Sequence, residues 1–231
     1  TDPEKSKILY ILPLTCIFLI PTLHRTVMPE RFVEHYGGGT WFKAAFLHTF
    51  TFLALSFLLV NPPFGDIAAP ELASEWTVVA DDGEEIVYPH SMATSGATLT
   101  WHTDGSPILE GDAWLLFGLM DNVNSDGAVV EVTRDYQANE TIQEDNISYW
   151  NSNAERIANG TSTSNKSAPN LTPHGDLDQP FSVYLGTDLE EGTHKIVVTI
   201  TEEGDPWQNV QQYTWNLVIS SESAVQDSMS E

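Results

Sequence analysis

Two long apolar runs lie within the first 60 residues, and they constrain the fold more than any other feature. ILYILPLTCIFLIPTL occupies residues 8–23, and AAFLHTFTFLALSFLLV occupies residues 44–60. At about 1.5 Å per residue, each helix would approach the roughly 30 Å hydrocarbon core of a bilayer with help from flanking residues. Apolar residues cover every side of the second helix, whereas a soluble amphipathic helix keeps a polar stripe. The pair predicts a transmembrane helical hairpin.

Three alternatives to this hairpin can be weighed from the residues. A cleaved signal peptide would explain residues 8–23, but no small-residue cleavage site follows, and a second apolar run comes soon after. Lipidation of Cys16, the only cysteine, would need a small residue before it, whereas Leu14 and Thr15 precede it. We therefore interpret Cys16 as a buried thiol. A hairpin buried in a soluble protein is the third alternative.

The charges divide the chain at the end of the second run. After Asn61 there are 29 acidic residues and only four basic ones. The connector between the runs, residues 24–43, holds Arg25, Arg31 and Lys43, and short basic loops stay in the cytoplasm. We therefore predict a multi-pass cell-membrane protein whose N-terminus and whose whole chain beyond Asn61 are extracytoplasmic. The glycines at residues 37–39, before the second run, are interpreted as a flexible turn at the membrane face.

Five N-x-[ST] sequons cluster on the side that the charges assign to the exterior. They predict N-glycosylation at Asn139, Asn146, Asn159, Asn165 and Asn170. The alternative is a low-complexity segment whose composition generates sequons by chance. On either interpretation, residues 137–180 form a long polar surface loop.

Eight short runs rich in β-branched and aromatic residues surround this loop and predict strands. They are residues 76–80, 84–88, 97–101, 113–120, 128–133, 181–185, 193–201 and 210–219. The last two alternate apolar and polar residues as a half-buried antiparallel hairpin should. The core is predicted to include Trp76, Trp101, Trp114, Phe181, Tyr213 and Trp215. The pattern over residues 75–220 resembles an immunoglobulin-like or fibronectin-like sandwich without its inter-sheet disulfide.

The predicted fold class is an N-terminal two-helix transmembrane hairpin followed by an all-β, extracytoplasmic, immunoglobulin-like sandwich. The boundaries are residues 1–7 for an N-terminal segment, 8–23 and 44–60 for the helices, 24–43 for the connector, 61–74 for a linker, 75–220 for the sandwich and 221–231 for a polar tail. The strong acid excess, few lysines and sequons resemble surface proteins of halophilic archaea. High salt would screen the self-repulsion of such a domain. The charge excludes nucleic acid as a partner.

Few residues carry a signal for specific chemistry. Asn122, Asn124 and Asp126 have the spacing of half an EF-hand loop, but Thr133 stands where the bidentate Glu belongs, so a hairpin turn competes with weak calcium binding. His48 is ionisable within a predicted span, where such residues are costly. It is interpreted as a structural or interfacial residue, with partner contact and haem ligation as alternatives. No cofactor is predicted.

The expected function is non-enzymatic. The sandwich would serve binding, recognition or envelope organisation at the cell surface, with the bilayer and other surface proteins or glycans as partners. The alternative is a small accessory subunit of a membrane redox or transport complex that docks through its hairpin. An exterior enzyme is a third possibility, but no recognisable catalytic motif is present.

Overall fold

A computed structural model describes residues 15–59, 65–66, 68–121, 127–135, 137–142, 147–162, 167–204 and 207–222. The chain divides into two compact units. One comprises Thr1–Ile67 with Asp205–Trp207, and the other comprises Ala68–Gly204 with Gln208–Glu231. The described part of the first unit is helical, and that of the second is mainly β-structure.

The helical unit begins with a short 3-10 helix, Cys16–Leu19, which leads into α1 (Ile20–Val27). Helix α2 (Glu30–Val33) follows after Pro29. Residues 24–43 were predicted to be a connector between spans. The structure shows that α1 extends into this connector and that α2 lies wholly within it. Residues 8–14 of the predicted first span lie outside the described residues.

Helix α3 (Gly38–Leu59) is 22 residues long, about 33 Å at 1.5 Å per residue. It begins six residues before the predicted start at Ala44, because the backbone N–H groups of Thr40 and Trp41 already bond to the Gly37 carbonyl. The predicted flexible glycine turn is therefore wrong, since Gly38 and Gly39 belong to the first helical turn. No residue of α3 is buried. Among the described residues, α3 alone is long and apolar enough to cross a membrane.

Ten strands form two five-stranded sheets that pack face to face. Their bounds are β1 Glu71–Asp81, β2 Ile86–Tyr88, β3 Thr98–His102, β4 Ile108–Met120, β5 Val129–Arg134, β6 Gln137–Ile142, β7 Thr161–Ser162, β8 Gln179–Glu190, β9 Gly192–Glu202 and β10 Asn209–Ser220. Sheet 1 has the order β7-β2-β1-β4-β8, and sheet 2 has the order β3-β10-β9-β5-β6. Both sheets are mixed, since β2 pairs with β7 and β3 pairs with β10 in parallel.

Inward side chains of both sheets build one apolar core. Trp76 stacks on Trp215 across the sandwich, with ring centroids 4.6 Å apart, and Phe117 meets the edge of the Trp215 ring. The alternation predicted for the last hairpin is confirmed, because Ile196, Val198 and Ile200 of β9, together with Trp215, Leu217 and Ile219 of β10, are all buried. The two strands pair antiparallel along their length.

The outer face of sheet 1 carries a second apolar layer that the sequence did not predict. Helix α4 (Ile147–Ala158) and the segment 167–178 pack there, burying Ile157 and Leu171 against Leu116 of β4. Residues 137–180, expected to be a polar surface loop, therefore contribute a helix and two strands to the fold. Because the outer layer covers this part of sheet 1, residues 113–120 of β4 form a continuous apolar run, whereas β9 and β10 of sheet 2 alternate.

A glycine near the end of β4 lets this layer approach closely. A Cβ on Gly118 would lie 2.3 Å from the carbonyl oxygen of Leu171. A glycine inside a strand often marks such close backbone contact. The segment 167–178 therefore occupies the space that a side chain at position 118 would fill.

Candidate functional site

The polar centre of the second unit is Asp81, at the end of β1. Its carboxylate accepts two hydrogen bonds from the Arg156 guanidinium, at 2.6 and 3.0 Å. It also accepts one from the Tyr149 hydroxyl at 2.7 Å and one from the Gly83 backbone N–H at 2.8 Å. Arg156 and Tyr149 both lie on α4, so this bidentate ion pair ties the helix to the end of sheet 1.

Electrostatics keep the carboxylates at this end of β1 ionised. Burial alone would raise the pKa of Asp81, but the hydrogen bonds from Arg156 and Tyr149 outweigh it and lower the pKa. The backbone N–H groups of Glu85 and Glu84 lower the pKa of the exposed Asp82. Burial raises the pKa of Tyr149, and its bond to the Asp81 carboxylate raises it further. At neutral pH, Asp81 and Asp82 are therefore hydrogen-bond acceptors only.

A groove of about 540 Å³ opens beside this network and is called the Asp81 groove. Its lining consists of Asp81, Asp82, Gly83, Gly111, Asp112, Trp114 and Tyr149. Gly111 has a positive φ of 90°, and a Cβ there would lie 2.9 Å from the Asp81 carbonyl oxygen. Its N–H donates to the Asp188 carboxylate at 2.9 Å, which fixes the floor of the groove to the end of β8.

Aromatic rings form one wall of the Asp81 groove. Trp114 of β4 stacks on Tyr149 with ring centroids 3.8 Å apart and an angle of 6° between the rings. Tyr184, the partner of Trp114 on β8, packs against it at 5.2 Å and is 39% exposed. At the rim, Asp112 accepts hydrogen bonds from the hydroxyl groups of Tyr184 and Thr187.

A second depression, of about 590 Å³, is mainly apolar. Met120 and Leu177 are its exposed apolar side chains, and His174 and Asp178 complete one side. Buried Asp178 accepts a 2.6 Å hydrogen bond from the His174 backbone N–H, which closes a turn. The aspartate therefore has a structural role in the segment 167–178.

The residues predicted to set the membrane topology all lie on the helical unit. Arg25 is on α1, Arg31 is on α2 and Lys43 is in the second turn of α3, and each side chain is exposed. His48 lies on α3 and is half-buried. The neighbouring Thr49 hydroxyl bonds to the Ala45 carbonyl of its own helix at 2.9 Å, as threonines in apolar helices commonly do.

The sequons occupy several different settings. Asn159 follows α4, Asn170 lies in the segment 167–178, and both are exposed. The backbone of Asn139 belongs to β6. Asn146 and Asn165 lie outside the described residues, as do the candidate calcium ligands Asn122, Asn124 and Asp126, so the sequence predictions for these residues stay predictions.

The sequence did not identify the Asp81 groove. Asp81 and Arg156 are 75 residues apart, and no motif connects them. Trp114 was predicted to lie in the sandwich core, but it is half-buried on the outer face of sheet 1. A periodic signal did exist for α4, because Ile147, Trp150, Ala154 and Ile157 follow helical spacing within a polar stretch.

The chain matches no protein-family model and no curated protein sequence.

Proposed function

We propose that this chain is a membrane-anchored surface protein whose β-sandwich has a non-enzymatic binding role outside the cytoplasm. One observation carries the proposal. All sides of α3 expose large apolar side chains, and none of its residues is buried. Exposed apolar area of this extent is costly in water, and a bilayer removes that cost. The exposed side chains are Phe42, Phe46, Leu47, Phe50, Leu53, Leu55, Phe57, Leu58 and Leu59.

Aromatic residues support a membrane boundary at the start of α3. The rings of His24, Tyr36 and Trp41 pack together, with centroids 5.3–6.1 Å apart. Tyr and Trp are enriched at the level of lipid headgroups. Exposed Leu19 and Leu23 would also suit a lipid environment. We propose the complete two-helix hairpin, in which residues 8–23 form the first span and Arg25, Arg31 and Lys43 mark the cytoplasmic side.

The sandwich suits the exterior. It contains no cysteine, carries the sequons, and has 29 acidic residues on its side of the chain. We propose that it is an immunoglobulin-like module whose charge is adapted to high salt. The lowered pKa values of Asp81 and Asp82 do not suit a carboxyl general acid, which needs a raised pKa.

Membrane flotation of the full chain tests the anchor. The protein should float with vesicles and resist alkaline carbonate extraction. The double substitution Phe50→Arg and Leu53→Arg should release it, because each central charge costs about 2.5–3.5 kcal/mol for insertion. The matched control is Leu177→Arg, an equally apolar and exposed residue of the sandwich, which should leave flotation unchanged.

Topology is tested by adding protease to intact cells. Cleavage of the sandwich with survival of α3 is expected, and glycopeptide mass spectrometry should find glycan on Asn159 or Asn170. Protection of the whole chain would reverse the proposed orientation. Stoichiometric co-purification with a large integral membrane complex would instead favour the accessory-subunit alternative.

A further inference from the structure

We propose that the Asp81 groove, with Tyr184 and Thr187 at its rim, binds one pyranose ring of a carbohydrate. This inference rests on the proposed surface location of the sandwich and names the ligand class that its binding role would serve. Three features carry it: an aromatic ring, Tyr184, that the outer layer leaves exposed, a surplus of hydrogen-bond acceptors, and a groove whose shape is fixed before any ligand binds.

The first feature is the incomplete cover of sheet 1 by α4. The helix covers Leu116 of β4 and Ser182 of β8, whose hydroxyl accepts a bond from the Trp150 backbone N–H at 3.2 Å. The next pair on the same face, Trp114 and Tyr184, is only partly covered, because Tyr149 of α4 stacks on Trp114 while Tyr184 stays 39% exposed. The exposed Tyr184 ring suits the flat C–H face of a sugar ring, which is apolar.

The second feature is the polarity of the groove. Asp82 and Asp112 supply carboxylate oxygens, and neither carboxylate is within ion-pair distance of a cation among the described residues. The hydroxyl groups of Tyr184 and Thr187 already donate to Asp112, so their oxygens add further acceptors. A ligand that fits must bring several hydrogen-bond donors next to an apolar face. Anionic ligands are disfavoured by charge, and polyhydroxyl ligands meet both conditions.

An organic ammonium ion is the main competitor, since it also suits acidic and aromatic surroundings. Cation–π binding requires a cation over a ring face. One face of Trp114 is stacked on Tyr149, and Tyr184 packs against the same indole. The strongest aromatic cation binder in the groove is therefore flanked by other rings. A sugar, which also bonds through its hydroxyl groups, depends less on an open Trp114 face.

The third feature is preorganisation. Arg156, Tyr149 and the Gly83 N–H hold Asp81, and the Asp188 carboxylate holds Gly111. The volume of about 540 Å³ is within the range of roughly 300–1,000 Å³ that is typical of small-molecule sites. Because the groove is formed by bonds within the fold, little ordering entropy is lost when a ligand binds.

Saturation-transfer NMR on the full chain, in a detergent without a sugar headgroup, tests this inference. The probes are the methyl glycosides of glucose, galactose, mannose and N-acetylglucosamine, with tetramethylammonium as the competing cation. At least one glycoside should receive saturation from the protein. Tyr184→Leu should weaken its binding by roughly 3- to 10-fold, the size of one aromatic contact. Tyr184→Phe, which keeps the ring, should bind more tightly than Tyr184→Leu.

Val210→Ala is the control, since Val210 is exposed on β10 of the other sheet. Binding that is equal in Tyr184→Leu and Val210→Ala would overturn the assignment, as would an absence of signal for every glycoside. Binding of tetramethylammonium alone would assign the groove to organic cations. None of these outcomes affects flotation, so failure of the ligand class remains distinguishable from failure of the membrane anchor.

Discussion

Asp81 is held by donors from the turn after β1 and from α4, so one carboxylate joins two parts of the fold that are far apart in sequence. Its side chain is only 9% exposed, whereas that of Arg156 is 32% exposed. Solvent therefore screens the charge of Arg156, whereas the Asp81 carboxylate has little contact with water. Removal of the arginine would leave a nearly buried carboxylate with fewer donors, which is more costly than removal of a surface pair.

We expect Arg156→Met to lower the free energy of unfolding by about 1–3 kcal/mol at pH 7, because the Asp81 carboxylate loses its charged partner. The folded pKa of Asp81 is lowered, so its contribution is fully present above the unfolded value of about 3.9. It is lost as the pH falls through the folded pKa. Urea denaturation of wild type and Asp81→Asn from pH 7 to pH 2 should therefore show a stability gap that narrows in acid.

Asp176→Asn is the control for this series, because Asp176 is an exposed carboxylate in the segment 167–178. Its substitution should leave stability nearly unchanged at each pH. A gap between wild type and Asp81→Asn that stays constant down to pH 2 would contradict the assigned ion pair.

Single residues also show where sequence reasoning stops. Trp76 and Trp215 were predicted to be core residues, and both are buried at the centre of the sandwich. Trp114 was placed on the wrong side because residues 113–120 of β4 include no polar side chain. Alternation identifies the inward face only when the other face is polar. The partners of Asp81 come together through tertiary structure, which no local pattern records.

At the scale of elements, all eight predicted strands are present, because each combines β-branched or aromatic residues with flanking turn residues. Strands β6 and β7 were missed. β7 has two residues, and β6 has the polar sequence QANETI, so neither carries an apolar period. Helix α4 was missed because the polar composition around it outweighed its four periodic residues.

The ends of α4 are fastened to sheet 1 by side chains. The Tyr88 hydroxyl donates to the Ile157 carbonyl at 2.9 Å, one of the last four carbonyls that a helix leaves unpaired. Near the other end, Ser182 accepts from the Trp150 backbone N–H. The helix is thereby held to the sheet independently of the inter-sheet core, and it can loosen without opening the sandwich.

We expect Ile157→Ala to destabilise this outer layer, because it removes a buried side chain at a cost of about 2–4 kcal/mol. Amide hydrogen exchange should accelerate in α4 while β9 and β10 stay protected. Ile147→Ala, at a half-buried position of the same helix, should have a smaller effect. Uniform acceleration across both sheets would show instead that the outer layer and the sandwich unfold as one unit.

The whole molecule combines an apolar helical unit with a strongly acidic sandwich. The proposed surroundings of the two units differ, lipid for the helices and ion-rich water for the sandwich. Self-repulsion among the 29 acidic residues after Asn61 would destabilise the compact sandwich at low ionic strength. The stability of the sandwich should therefore increase with salt concentration as the repulsion between its carboxylates is screened.

We expect the melting temperature of the full chain in detergent to rise as KCl increases from 0.1 M to 1 M, since the Debye length falls from about 10 Å to about 3 Å. The gain should level off above about 1 M, because little repulsion remains to be screened. Differential scanning fluorimetry is the measurement. A melting temperature that is insensitive to salt would contradict adaptation of the charge to high salt. A linear rise that continues above about 1 M would indicate instead that the salt stabilises the fold because it is excluded from the protein surface.

The parallel pairing of β3 with β10 has a consequence for synthesis on the ribosome. β3 ends at His102, and its neighbour in sheet 2, β10, starts only at Asn209. The edge of β3 in the nascent sandwich therefore stays unpaired until β10 has been synthesised, some 150 residues after the end of α3. Closure over so long a separation is slow. If the chain is translocated during synthesis, β3 would reach the far side of the bilayer before its pairing with β10 has formed.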